Sequence, residues 1–161
     1  MGLLDWTRHL IINQRHLAIH VSNLEKGIEF YTALGGAFSS MDLEKGEFIE
    51  SMMNKPGVIL KTCKIHFRDG SRIELIEFLS EFHAGAKQID SSRIYNLGYH
   101  HVAFTVDNLE AAIETVIQLG GKRIGKTMLA GRNHSIHAIK ANHVYMLDPF
   151  GNLLHLAQDI K

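Results

Sequence analysis

The sequence predicts an α+β fold in which two β-α-β-β-β modules form one curved mixed sheet. Three observations predict it. Residues 16–36, HLAIHVSNLEKGIEFYTALGG, recur without a gap as residues 101–121, HVAFTVDNLEAAIETVIQLGG, at an offset of 85. The turn sequences FRDGS at 67–71 and DPFGN at 148–152 recur at an offset of 81 when Gly70 is set on Gly151. Strand-like alternation gives way to helical spacing at the same place in both copies.

Identities fall at His16/His101, Ala18/Ala103, Val21/Val106, Asn23/Asn108, Leu24/Leu109, Glu25/Glu110, Ile28/Ile113, Glu29/Glu114, Leu34/Leu119, Gly35/Gly120 and Gly36/Gly121. Chance is a poor account of so many ungapped matches. Each copy opens with a strand, read from alternating Leu17, Ile19 and Val21. Ser22 and Asp107 stand where an N-cap belongs, three residues before Glu25 and Glu110. A helix follows, with Leu24, Ile28 and Tyr31, and likewise Leu109, Ile113 and Val116, at helical spacing. The Gly-Gly pairs end the helices through a left-handed residue. A second strand is expected over 37–42 and 122–127. Third strands lie over 58–66 and 143–147, and fourth strands over 72–78 and 153–158. Glu47 to Met53 add a short helix before the Lys55-Pro56-Gly57 turn. The organisation is an N-terminal extension (1–14), a first module (15–80), a linker (81–98) and a second module (99–161), all in one structural domain.

Whole-chain numbers exclude several classes. The 161 residues suit one domain with a core of its own. Seventeen Lys and Arg balance seventeen Asp and Glu, which gives no electrostatic reason for a nucleic acid or an anionic membrane as partner. Cys63 is the single cysteine, so no internal disulfide can form and a cytoplasmic location is expected. The first 14 residues lack a basic stretch followed by a long apolar one, so no signal peptide is read. No apolar run approaches the roughly 20 residues that span a bilayer.

Eleven histidines are the unusual feature. His16, Ala18 and His20 share one face of the first strand, while Leu17, Ile19 and Val21 share the other. The helix must cover the apolar face, so His16 points the opposite way. The same alternation turns His101, Glu74 and His155 away from the helices. Four lone-pair donors thus occupy equivalent positions, two per module, around a metal-binding cup. Gathering a carboxylate and three imidazoles in one concavity is costly without compensation. A divalent ion supplies it, and three His with one Glu suit Zn, Ni, Co, Fe or Mn.

The segments HLAIHVSNLEKGIEFY, RIELIEF, YHHVAFTVDNLEAA and YMLDPFGNLLHLAQ resemble the vicinal oxygen chelate superfamily, which includes glyoxalase I, methylmalonyl-CoA epimerase, extradiol dioxygenases and the fosfomycin and bleomycin resistance proteins. The similarity runs from about residue 15 to residue 161. It implies one divalent metal ion held from the first and last strand of each module, at His16, Glu74, His101 and His155. It also implies a small substrate that offers two neighbouring oxygens, and a homodimer. His155 departs from the pattern, because glyoxalase I and the epimerase place a glutamate there that also serves as base.

The activity this implies is that of a metal-dependent lyase or isomerase working through an enediolate-like intermediate. Alternatives are an Fe(II) extradiol-type dioxygenase, using His16, His101 and Glu74, and a non-catalytic drug-resistance binding protein. Glu74 is the candidate base, as the one carboxylate among the ligands. His20, Tyr145 (the repeat partner of Lys64) and Arg132 are candidate substrate contacts. Glu47 and Glu50 read as a solvated helix face, and His100 as a structural residue pointing away from His101.

Overall fold

A computed structural model describes residues 13–80, 98–130 and 140–160. Most of the expected extension and linker, and Arg132, lie outside the described residues. The first module contains β1 (Leu17–His20), α1 (Leu24–Ala33), β2 (Ala37–Lys45), α2 (Glu47–Met53), β3 (Ile59–His66) and β4 (Arg72–Phe78). The second contains β5 (Val102–Thr105), α3 (Leu109–Gln118), β6 (Lys122–Arg123), β7 (Met128–Ala130), β8 (Ala141–Leu147) and β9 (Leu153–Asp159). The strand expected over 122–127 is thus only two residues long, and a separate strand follows it. No helix among the described residues is long and apolar enough to cross a membrane.

The helices start one residue later than the sequence suggested. The N-caps are Asn23 and Asn108, not Ser22 and Asp107. An Asn side-chain oxygen accepts from the N–H three residues on: Asn23 from Lys26 at 2.8 Å and Asn108 from Ala111 at 3.1 Å. The first helical N–H is satisfied from the module's last strand, by Glu77 Oε2 on Leu24 at 3.1 Å and Gln158 Oε1 on Leu109 at 3.0 Å. Glu77 and Gln158 are themselves repeat partners. At the other end, Gly35 and Gly120 take φ of 101° and 87°, where a side chain would be strained. Gly121 answers a different need, since a Cβ there would stand 2.5 Å from Leu147 O.

The expected single curved sheet is observed as two mixed sheets, with no closed barrel among the described residues. Their orders are β1-β4-β3-β2 and β5-β9-β8-β6, with β7 paired to β8. β1 is parallel to β4 and β5 to β9; the other pairings are antiparallel. β1 and β5 are four-residue edge strands that do not hydrogen-bond to each other. The modules meet through side chains instead. Each hairpin turn reaches the end of the other module's first strand. Asn152 Nδ2 donates to His20 O at 3.2 Å, and Arg68 Nη1 approaches Asp107 Oδ2 at 3.8 Å. Phe67 packs on Phe104 at 5.1 Å between ring centres.

The helix-facing side chains of both modules form one core, from Ile19, Leu24, Phe30 and Leu75 to Ile113, Val116, Leu154 and Leu156. A smaller cluster of Ile49, Val58 and Leu60 lies under α2. One buried polar link crosses the main core. Tyr31 Oη donates to Asp148 Oδ2 at 2.9 Å, with Tyr31 1% and Asp148 3% exposed. Asp148 also accepts from the backbone N–H groups of Phe150 and Asn152 and from Asn152 Nδ2, which fixes the DPFGN turn. Burial raises the Asp148 pKa above the usual aspartate value despite these donors. It raises that of Tyr31 further still, with Asp148 adding to the effect. Tyr31→Phe removes one donor from this carboxylate and leaves the packing. The expected loss is about 1–3 kcal/mol of unfolding free energy. Urea unfolding measures it, and an unchanged stability would mean that the bond contributes nothing.

Candidate metal centre

The cover of α1 and α3 decides which strand residues face away from the core. In β4, Ile73 and Leu75 are buried at 3% and 0% exposure, with the half-exposed Glu74 between them. In β9, Leu154 and Leu156 bracket His155 in the same way. Ala18 and Ala103 lie beside Glu74 and His155 in the parallel pairings. Small residues there leave room over the two donors. His16 and His101 stand immediately before β1 and β5.

In the first module, His16 Nε2 lies 3.2 Å from Glu74 Oε2. The other carboxylate oxygen, Oε1, accepts from Lys64 Nζ at 2.9 Å, across a β3–β4 pair whose register sets Lys64 opposite Glu74. His16 Nδ1 is buried and finds no hydrogen-bond partner among the described residues. In the second module, the rings of His101 and His155 are 5.4 Å apart at 82°. Tyr145 stacks on His155 at 4.8 Å and meets His101 edge-on at 5.3 Å. Two more histidines join them: His143 Nδ1 is 2.9 Å from His155 Nε2, and His100 Nδ1 is 2.7 Å from His101 Nδ1. The expectation that His100 points away is therefore corrected. It precedes the strand, where alternation does not yet hold.

The four expected ligands stand in two pairs. Among the described residues, no three His, Cys, Asp or Glu side chains form one metal-holding group. Each pair alone fits half a coordination sphere. Two donors sharing one ion at about 2.1 Å stand about 3.0–3.4 Å apart, and His16 Nε2 and Glu74 Oε2 are 3.2 Å apart. The same distance is a hydrogen bond when Nε2 carries a hydrogen. Two imidazoles on one such ion have ring centres about 4.5–5.2 Å apart, close to the 5.4 Å seen for His101 and His155. A wide groove of about 1260 Å³ between the modules is bordered by His16 and His101 but not by Glu74 or His155, so it is not a place where all four meet.

The other candidates divide. Tyr145 lines the second half-site. His20 packs edge-on against Phe78 at 5.2 Å, beside the cluster under α2. Arg132 lies outside the described residues. Glu47 is exposed and Glu50 half-buried on α2, as a solvated helix face requires. The sequence reading missed Lys64 as the partner of Glu74, and His143 altogether. His143 lies two residues from Tyr145, so strand alternation could have placed it on the same face.

A family model described as the glyoxalase/bleomycin resistance protein/dioxygenase superfamily matches residues 13–156. The chain belongs to this superfamily. The superfamily is generally metal-dependent and also contains proteins that are not enzymes. A lactoylglutathione lyase from Schizosaccharomyces pombe is 30% identical over 101 residues, 60% of this chain and 33% of the enzyme. The chain thus spans about a third of that relative's length. A glyoxalase family protein from Bacillus cereus superposes with a TM-score of 0.83 at 20% identity, covering 98% of this chain and 100% of that one. A fosfomycin resistance protein from Listeria monocytogenes, solved with Mn(II) and sulfate, gives 0.54 at 16% identity over 94% and 95%. At such identities the superpositions establish the fold.

Electrostatics favour neutral imidazoles in the second pair. Burial, then the neighbouring His100, holds the His101 pKa below the ordinary imidazole value of 6.5. Burial, then His143 and His101, does the same for His155. A histidine whose pKa is lowered by folding contributes stability that is present above about pH 6.5 and lost as the pH falls through its folded value. The unfolding midpoint of metal-free protein should therefore drop between about pH 7 and pH 5. His155→Gln should make that drop shallower. Identical pH profiles for the two proteins would contradict the assignment.

Proposed function

We propose that this chain is a metal-dependent lyase or isomerase of the glyoxalase type, acting on a small substrate with two vicinal oxygens through an enediolate-like species. The carrying observation is that donors at repeat-equivalent positions stand in two pairs, each with the spacing of half a coordination sphere. His16, Glu74, His101 and His155 would hold one divalent ion, Zn, Ni, Co, Fe or Mn. One chain keeps the pairs apart, which favours a homodimer. In it, His16 and Glu74 of one protomer would face His101 and His155 of the partner subunit. Twofold symmetry would complete two sites at once.

A bound divalent ion supplies Lewis-acid stabilisation of negative charge developing on substrate oxygen. The protein's own groups do the rest. Glu74 would take a proton from the carbon beside the carbonyl, as the one carboxylate of the set, with Lys64 steadying its charge at 2.9 Å. Tyr145, flat against His155, would line one wall of the site. His155, in place of the superfamily's second carboxylate, leaves Glu74 as the one carboxylate base in the set.

Two measurements test this reading. The purified protein should carry about one metal ion per chain, and His16→Ala or His101→Ala should abolish that stoichiometry. A double variant of His16 and Glu74, mixed with a double variant of His101 and His155, should regain one site in each heterodimer, about a quarter of the parent stoichiometry when subunits exchange at random. No recovery would rule out a site shared between chains. Metal-loaded protein and an α-hydroxy carbonyl compound in deuterated water should exchange the carbon-bound hydrogen, and Glu74→Gln should slow this by about 10²- to 10⁴-fold. Oxygen consumption with a catechol and no exchange would instead indicate a dioxygenase. Absence of metal would indicate a binding protein.

A further inference from the structure

His100 and His143 fall outside the expected ligand set, yet each sits against one of its members. A hydrogen bond directed along a ring nitrogen's lone pair, with each nitrogen about 1.1 Å from its ring centre, separates two imidazole centres by about 5 Å. Both pairs meet this. His143 and His155 have centres 5.0 Å apart with planes at 29°, and a 2.9 Å contact from Nδ1 to Nε2. His100 and His101 have centres 5.0 Å apart at 81°, with a 2.7 Å contact from Nδ1 to Nδ1. These contacts are in line with the ring nitrogens; the rings do not merely brush past each other.

Each contact holds one hydrogen between two nitrogens, and a neutral imidazole carries one hydrogen on one of its two nitrogens. A ligand nitrogen must keep its lone pair, so in a metal-binding histidine the hydrogen goes to the nitrogen that faces the partner. We propose that His100 and His143 are positioning residues that accept, each through Nδ1, the hydrogens on His101 Nδ1 and His155 Nε2. His101 Nε2 and His155 Nδ1 are then the nitrogens left for a metal ion. The proposal rests on the reading of His101 and His155 as ligands.

The first module is built differently. The repeat partner of His143 is Thr62, which donates to Glu44 Oε1 at 2.9 Å, and that of His100 is Arg15. Among the described residues, His16 Nδ1 has no such acceptor, and the support there is Lys64 on Glu74. The second half-site is thus set by imidazole acceptors and the first by an ammonium group. A hydrogen-bonded acceptor fixes a ligand's tautomer and ring orientation, and its loss typically weakens metal affinity about 10- to 100-fold.

The test uses the full chain with ¹⁵N-labelled histidine. Long-range ¹H–¹⁵N correlation spectra of metal-free protein near neutral pH should show His101 as the Nδ1–H tautomer and His155, His100 and His143 as Nε2–H tautomers. Titration with Co(II) should then show His100→Ala and His143→Ala each weakening binding about 10- to 100-fold. His143→Gln, whose side-chain oxygen can accept the same hydrogen, should recover most of the loss. The metal-free unfolding midpoints should stay near that of the parent protein. His101 with its hydrogen on Nε2, or a lowered unfolding midpoint with unchanged Co(II) affinity, would overturn the positioning role. A parent protein that takes up no Co(II) would overturn the metal reading beneath it.

Discussion

A β-strand has two faces, and in each module a ten-residue helix covers one of them. The covered face must be apolar, and Ile19, Ile73, Leu75, Leu154 and Leu156 meet that need at 5% exposure or less. Because side chains alternate, whatever stands between these residues is carried to the other face. Glu74 between Ile73 and Leu75, and His155 between Leu154 and Leu156, have no alternative. Slipping either strand by one residue would bury a carboxylate or an imidazole in an aliphatic core and expose two leucines or isoleucines. The placement of the polar groups is therefore a by-product of burying the core.

The same core sets how far one chain can go. Both helix-covered faces contribute to a single apolar cluster, tied across by Tyr31 and Asp148. The modules are then held by turns that reach each other's first strand, with β1 and β5 not paired to each other. In this arrangement the donors stand two and two. The repeat makes the two halves equivalent in position, which is the basis of the proposed homodimer.

Equivalent positions have not been filled with equivalent chemistry. The first half joins an imidazole and a carboxylate, with Lys64 on the far oxygen. The second joins two imidazoles, each backed by another histidine and lined by Tyr145. Burial and mutual repulsion keep the second pair neutral, which leaves lone pairs in place of positive charge. The first half offers a negative charge and a cation to steady it. In the proposed reading, one side would move a proton and the other would help hold a cation without competing charge.

Much of this was legible in the amino-acid sequence. The ungapped repeat from His16 to Gly36 and from His101 to Gly121 determined the element order, and alternation determined the faces of Glu74 and His155, because both depend only on local periodicity. The Gly-Gly helix ends followed from backbone sterics, which are also local. The rest required the tertiary structure. Helices beginning at Leu24 and Leu109 depend on Glu77 and Gln158, more than 45 residues away in the chain. The chain forms two sheets, and across the gap between them Phe67 packs on Phe104. Lys64 opposite Glu74 and His143 beside His155 are products of cross-strand register. The turn of His100 towards His101 comes from a residue lying outside any strand, where no periodicity applies. Sequence alone determined which face Glu74 and His155 occupy; only the packing of distant segments decided which donors and partners come within bonding distance, because register and packing are set by contacts that local periodicity does not encode.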